Sequence, residues 1–387
     1  MDFTFTEEQA LLQASLAAWL ADHYDFETRR RVAASAPGWR PEVWRAFAAD
    51  LGILGALAPV ELGGSGGGPI EMMVIMEALG RALVVEPFLP TAVIAGGLLG
   101  QVQDRSAAAR ELLAGIVAGE VRAAFAVAEP QARYDWRDLT TTARRSGAGY
   151  VLSGVKAVVH GAPWATHLVV SARTGGAQRD RDGISVFVLD AAAKGVAMRE
   201  VATIDGGRAA EVSFDSVSVP ATALIGGEGA AEPLLERVID TATVALCAES
   251  VGVMRALHER TVDYTKERQQ FGKPLATFQV LRHRMVDMYM RLEQAVSITY
   301  LAAIRLSDPD PTQRARAASA AKAHVGEASR FIGQSAIQLH GGMGLTDELA
   351  VSHYFKRAAV IETQLGDTDH HLARYSALSF APPASVA

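Results

Sequence analysis

The hydrophobic period of this chain changes twice along its length, and that change restricts the folds open to it more than any other feature. From Thr6 to about residue 118 the apolar residues recur at helical spacing. Thr6 precedes Glu7 and Glu8, a cap followed by acids in the first turn, and Leu11, Leu12, Leu16 and Leu20 then repeat along the helix. Further helices fit 41–51 and 69–83. Between Arg122 and Leu224 the period becomes two: AAFAVAE, YVLSGVKAVV, THLVVSA, GISVFVLD and AAEVSFDSVSVP read as strands separated by Gly, Asp and Pro. IGGEGAAEP at 225–233 reads as a hinge, and long helices then fit 234–267, 278–306, 311–339 and 348–364. Four such helices with short connections predict an antiparallel bundle. The expected fold is therefore an α+β multidomain chain: an all-α domain at 1–121, a β-domain at 122–230, a four-helix bundle at 231–380 and a tail at 381–387.

Composition excludes several classes of function. A formal net charge of -6 over 387 residues argues against general attraction to nucleic acid or anionic membrane, so small ligands are expected. The single cysteine, Cys247, allows neither an internal disulfide nor a thiolate metal cage. The opening MDFTFTEEQALLQ has no basic segment followed by an apolar run, and the apolar stretch at 91–100 is too short to span a bilayer. A cytoplasmic protein is the expectation. The Gly-rich stretch LGGSGGGP at 62–69 lacks the Gly-Lys-Ser/Thr ending of a P-loop and reads as a turn before a helix. His370 and His371 lie among Asp367 and Asp369, but adjacent histidines project in different directions and no further set has ligand spacing, so no metal is expected.

Two motifs point to a dinucleotide. In KERQQFGKPLATFQV, 266–280, Arg268 offers a fork of donors suited to a pyrophosphate, Phe271 a flat apolar face, and Gln279 an amide that both gives and accepts hydrogen bonds. The alternative reading is a helix that stops at Gly272, with an incidental arginine and a core phenylalanine. In QLHGGMGLTDE, 338–348, paired glycines let backbone amides approach a phosphate or ribose closely.

Taken with the helix, strand, helix order, these motifs resemble the acyl-CoA dehydrogenase family over essentially the whole chain. The resemblance implies FAD at a subunit interface: Arg268, Phe271 and Gln279 would hold the FAD of one site, and Gln338, Gly341 and Gly342 would reach that of a neighbouring subunit. Thr368 matches a further flavin-contacting position, and His370 is expected beside it. YDFETRR at 24–30, EPQARYD at 129–135 and LGDTDHHLAR at 365–374 give a narrower likeness to the small subunit of pimeloyl-CoA dehydrogenase.

Such an enzyme removes the α-proton of an acyl thioester with a carboxylate base while the β-hydrogen leaves as hydride to flavin N5. Both positions that carry the base in this family lack it here: Gly366 stands at one and Ala242 at the other. Glu249 lies two helical turns beyond Ala242 among Val244, Ala245, Leu246, Ala248 and Val251, surroundings expected to raise a carboxylate's pKa. It is the leading candidate base, with a structural ion pair to an adjacent helix as the competing reading; Asp367 is the second candidate. In the β-domain Ala128 replaces the usual threonine, and Val158, Val159 and His160 stand where Trp, Ile and Thr are usual. His160 then meets flavin N5 or O4, or is a strand-end histidine bonded to backbone. Arg133 faces a CoA phosphate or a distal carboxylate of a dicarboxylyl-CoA, or pairs with Asp135 or Asp138.

The expected function is FAD-dependent α,β-dehydrogenation of an acyl-CoA, of dicarboxylyl or steroid-side-chain type, with electron-transfer flavoprotein as electron acceptor and a homo-oligomer or heterotetramer as the assembly. The alternatives are a half-site partner subunit of a heterotetrameric dehydrogenase, and a flavin-dependent monooxygenase or oxidase on the same fold.

Overall fold

The computed structural model describes residues 4–380, so the 381–387 tail lies outside the described residues. The chain divides into two compact units. One comprises Met1–Arg30, Pro69–Val84 and Thr243–Ala387; the other comprises Arg31–Gly68 and Val85–Ala242. The helical first third is thus shared between the units, which helical period alone does not reveal.

The N-terminal helices are α1 (Glu7–His23), α2 (Phe26–Ala34), α3 (Pro41–Ala49), α4 (Pro69–Ala82), α5 (Gly96–Gly100) and α6 (Ala107–Val117), with a π-helical turn over Leu89–Ala95. Thr6 caps α1 through a reciprocal box, its side chain accepting from the Gln9 amide while Gln9 accepts from the Thr6 amide. Pro41 opens α3, where a missing N–H costs nothing.

The period-two region forms one sheet: β1 (Ala123–Ala126), β2 (Thr142–Ser146), β3 (Gly149–His160), β4 (His167–Arg173), β5 (Ile184–Asp190), β6 (Val196–Ala202), β7 (Arg208–Pro220) and β8 (Leu224–Ile225). The order is β6-β7-β3-β2-β4-β5-β8, with β1 pairing parallel to β4. Leu152, Leu168, Val170, Phe187, Ala210, Val212 and Val217 are almost completely buried and form its core. The β3–β7 ladder slips between Lys156 and Val159, where two residues on β3, Ala157 and Val158, stand opposite one on β7, Glu211. Val158 is the residue in excess; it adopts φ 48° and is 58% exposed.

The C-terminal helices are α7 (Glu232–Glu267), α8 (Gln279–Arg305), α9 (Pro311–His340), α10 (Ala350–Thr363) and α11 (Thr368–Phe380). α9 packs against α8, α10 and α11. Its start is set by Pro311 and by Asp310, whose side chain accepts from the Thr312 amide. α4 and α7 cross closely, because a side chain at Gly80 would collide with the Glu249 carbonyl and one at Gly252 with the Glu77 carbonyl. The helices fitted to the sequence end within about two residues of those seen, but α11 makes the C-terminal helices five rather than four.

Candidate active site

The Arg268 corner is a miniature hairpin. α7 ends at Glu267, and the two-residue strands Gln269–Gln270 and Lys273–Pro274 pair antiparallel across Phe271 and Gly272. Both turn residues are left-handed, φ 54° and 76°, as a tight two-residue hairpin requires. Gly272 therefore makes a hairpin turn rather than stopping the helix. The turn places Phe271 at its tip, 90% exposed, with its ring edge-on to Phe278 at 6.1 Å. This is not a core phenylalanine. Gln279 is exposed as the first residue of α8.

Arg268 lines a groove of about 770 Å³ together with Tyr264, Arg284, Gln338, Gly341 and Gly342. The family resemblance divides these residues between two FAD sites; within this chain they share one groove, while Phe271 and Gln279 stand outside its lining. The Arg268 guanidinium and the Gln338 amide have no partner among the described residues. A Cβ at Gly341 or Gly342 would meet nothing within 4 Å, which leaves the backbone open to a ligand. Tyr264 stacks on His340 at 4.2 Å and firms the wall. Unspent cationic and amide donors beside bare backbone fit the diphosphate of a dinucleotide.

Glu249 projects from α7 and is 6% exposed. Both its oxygens accept from Arg357 of α10: Nε to Oε1 at 2.6 Å and Nη2 to Oε2 at 2.8 Å. This is the two-point ion pair between helices that stood as the competing reading. Nothing in the sequence marks Arg357 as the partner, because the two residues are 108 positions apart.

Gly366 lies in the link between α10 and α11. Leu365 and Gly366 adopt φ 56° and 114°, which stops α10. A Cβ on Gly366 would sit 2.5 Å from the His370 ring and 2.6 Å from His371 Nε2, so the link has no room for the family's glutamate. Asp367 caps α11, its Oδ1 accepting from the His370 amide at 2.9 Å. His370 meets His371 edge-on at 5.0 Å. Thr368 is 6% exposed and gives both its amide and its hydroxyl to Glu362 Oε1, at 3.2 and 2.7 Å.

Below the link lies Lys322 of α9, 1% exposed, whose Nζ donates to the carbonyls of Glu362 at 2.9 Å and Gly366 at 2.7 Å. His371 Nε2 bonds the Leu365 carbonyl at 3.0 Å; a carbonyl only accepts, so Nε2 carries the proton. Burial, followed by the nearby Lys322 charge, pushes His371 down to about 3. The peptide N–H groups of Leu365 and Asp367 have no acceptor among the described residues, while that of Gly366 closes the turn over Gln364 and Leu365. Lys322 and Glu362 did not emerge from the sequence, although a lone lysine in the small-residue run ASAAKAHVG is a legible signal.

In the sheet unit, Glu129 and Lys156 form a fully buried ion pair at 2.8 Å. Burial alone would raise the carboxyl, but the Lys156 charge and hydrogen bonds from Lys156, Thr140 and Gln131 hold it down to about 2. Burial lowers Lys156 to about 8 despite that partner. The pair and the Thr140 and Thr141 amides that bond Glu129 tie down the segment after β1. Arg133 stands exposed there at φ 49°, with its guanidinium 5.9 Å from the Tyr134 ring centroid. It does not pair with the aspartates: Asp138 pairs with Arg179 and Asp135 accepts from the Arg137 amide. His160 ends β3 opposite Ala209, next to the Val158 bulge.

A β-domain set in the sequence between helical segments, together with a cationic groove suited to dinucleotide phosphates, is the layout of a flavin-dependent oxidoreductase. The chain belongs to the acyl-CoA dehydrogenase family. Models of that family's N-terminal, middle and C-terminal domains match residues 6–120, 124–217 and 233–377. Acyl-CoA dehydrogenase FadE12 of Mycobacterium tuberculosis is 31% identical over 362 residues, covering 90% of each chain. The structure of the Tcur3481-Tcur3483 steroid ACAD is 31% identical, has a TM-score of 0.86 and covers 96% of this chain and 98% of that one. An FAD complex of PigA, 25% identical with a TM-score of 0.86, covers 97% and 98%. FAD is the family's cofactor. Among the described residues no helix is long and apolar enough to cross a membrane.

Proposed function

We propose that this chain is an FAD-holding subunit of an acyl-CoA dehydrogenase that oxidises the α,β-bond of an acyl thioester. The observation that carries the reading is the groove in which the unspent side-chain donors of Arg268 and Gln338 meet the open backbone of Gly341 and Gly342. Arg268 would meet the diphosphate, and the Gly341–Gly342 backbone and Gln338 the adjoining phosphate or ribose. Phe271 would cover a ring of the cofactor or of a neighbouring chain, Gln279 would bond the cofactor's edge, and Thr368 with His370 would stand beside it. His160 would offer a ring nitrogen to a flavin. Bound FAD supplies the hydride acceptor. The N–H groups of Leu365 and Asp367 are suited to the thioester oxygen, where hydrogen bonds acidify the α-carbon. Arg133, without an acidic partner, suits an anionic group of the substrate, either a CoA phosphate or the far carboxylate of a pimeloyl-like chain.

The proton goes to Glu249 in this reading. Each of its oxygens keeps one lone pair beyond the Arg357 fork. A second reading rests on that same fork and on the Asp367 cap: none of the candidate positions offers an uncommitted carboxylate. The chain then completes a heterotetramer in which a second chain supplies the base. Exposed Val280, Val286, Tyr289 and Met290 on α8 supply an apolar face for an oligomer. Electron-transfer flavoprotein would take the electrons.

Glu249→Gln separates the two readings. If Glu249 is the base, the variant keeps flavin and loses anaerobic bleaching by acyl-CoA. Undiminished bleaching removes Glu249 and assigns the base to another group.

A further inference from the structure

Lys322 is a charge buried without a carboxylate partner. Among the described residues its ammonium donates to two backbone carbonyls only, those of Glu362 and Gly366. Around it lie Cys247, Glu362, Asp367 and His371, none of which forms an ion pair with it. Burying an ammonium costs several kcal/mol, and a methionine of similar volume would fill the space without that cost. The carbonyl at the end of α10 explains part of the arrangement, since a cation there meets the helix dipole. The Gly366 carbonyl lies outside the helix and needs another explanation.

The peptide geometry supplies it. In a trans peptide the C=O and the following N–H point in opposite directions, and no cis bond occurs among the described residues. Holding the Gly366 oxygen on the buried side therefore turns the Asp367 N–H to the other side. His371 fixes the preceding peptide by holding the Leu365 oxygen, and the Gly366 N–H on that peptide closes the turn over Gln364 and Leu365. The Asp367 carbonyl accepts from the His371 amide. The carbonyls of Leu365, Gly366 and Asp367 are thus all occupied, while the N–H groups of Leu365 and Asp367 are not.

We infer that Lys322 is a positioning residue, which fixes the Gly366–Asp367 peptide so that its N–H faces the carbonyl oxygen of an acyl thioester. This rests on the acyl-CoA reading above and deepens it.

The test compares two coenzyme A ligands on the FAD-loaded full chain: a thioester whose α-carbon carries two methyl groups and hence no removable proton, and the matching thioether without the carbonyl oxygen. Calorimetry should show the wild type preferring the thioester by roughly ten-fold, the worth of one or two hydrogen bonds. Lys322→Met should bind the thioether as the wild type does and lose that preference. Lys322→Gln, which keeps an N–H donor, should retain part of it, and it replaces the methionine variant as the decisive protein if the latter does not fold. Loss of affinity for both ligands alike means a purely structural lysine, and an undiminished preference means that the lysine does not orient the peptide; either overturns the proposal. A wild type that binds neither ligand, or both equally, instead refutes the acyl-CoA reading of the link, and this inference falls with it.

Discussion

The buried His371 ring makes a quantitative prediction about acid stability. It is 1% exposed, donates to the Leu365 carbonyl and titrates near 3 in the folded chain, against about 6.5 for an unfolded histidine. Because the folded value is the lower one, the unfolded chain binds the extra proton between those limits, and stability falls as pH falls through that window. From pH 7 to pH 5 the native ring stays neutral while the unfolded ring becomes almost fully charged, which costs ~2 kcal/mol. His371→Asn removes this titration. Urea denaturation of the C-terminal transition at both pH values, for wild type and variant, isolates the effect as a double difference, because the other histidines titrate in both proteins. The variant should be less stable at pH 7 yet should lose ~2 kcal/mol less on acidification. Equal acid losses in the two proteins would show that the ring is already open to protonation, and the picture of a link tied from below would fail.

Arg268→Met should weaken FAD binding about 10–100-fold, the loss of charge-assisted hydrogen bonds to a diphosphate, while the melting temperature of the FAD-free chain stays unchanged; FAD titration and thermal denaturation check the two halves. Glu129→Gln leaves the Lys156 ammonium buried without its counter-ion and should destabilise the sheet unit by about 3–5 kcal/mol, most of which a second change, Lys156→Met, should restore in denaturant melts. Gly366→Glu should cost about 2 kcal/mol or more and gain no turnover, because φ 114° and the His370 and His371 rings exclude a side chain there; a stable variant that bleaches flavin faster would contradict this.

The sequence made the long helices legible because their apolar residues repeat over many turns: α8 and α9 lie within a residue of their expected bounds. α11 was not legible as a separate helix, since only Thr368 and His371 are buried on it and no apolar stripe announces it. The groove was half legible. Arg268 and the Gly341–Gly342 turn each carry local signals, but their meeting in one wall is a tertiary fact, and so is the placing of Phe271 on a hairpin tip. The apolar neighbours of Glu249 are legible in the sequence, but Arg357 is not, because it approaches from another helix. Arg133 shows the converse: the nearby aspartates suggested a pair, yet Arg179 and a backbone amide occupy them. Sequence proximity stood in for contact there, and the folded chain assigns the partners differently.

Every role proposed above requires this chain to hold a flavin that an acyl thioester reduces. The most direct measurement is anaerobic titration of the purified chain, loaded with FAD, with a panel of straight-chain, dicarboxylyl and steroid-side-chain acyl-CoAs while the visible flavin absorption is recorded. Bleaching by at least one thioester, with FAD held about 10–100-fold more weakly in Arg268→Met, is the predicted result. A chain that takes up no FAD, either alone or with a partner subunit, or a flavin reduced by none of these thioesters in either form, would contradict it.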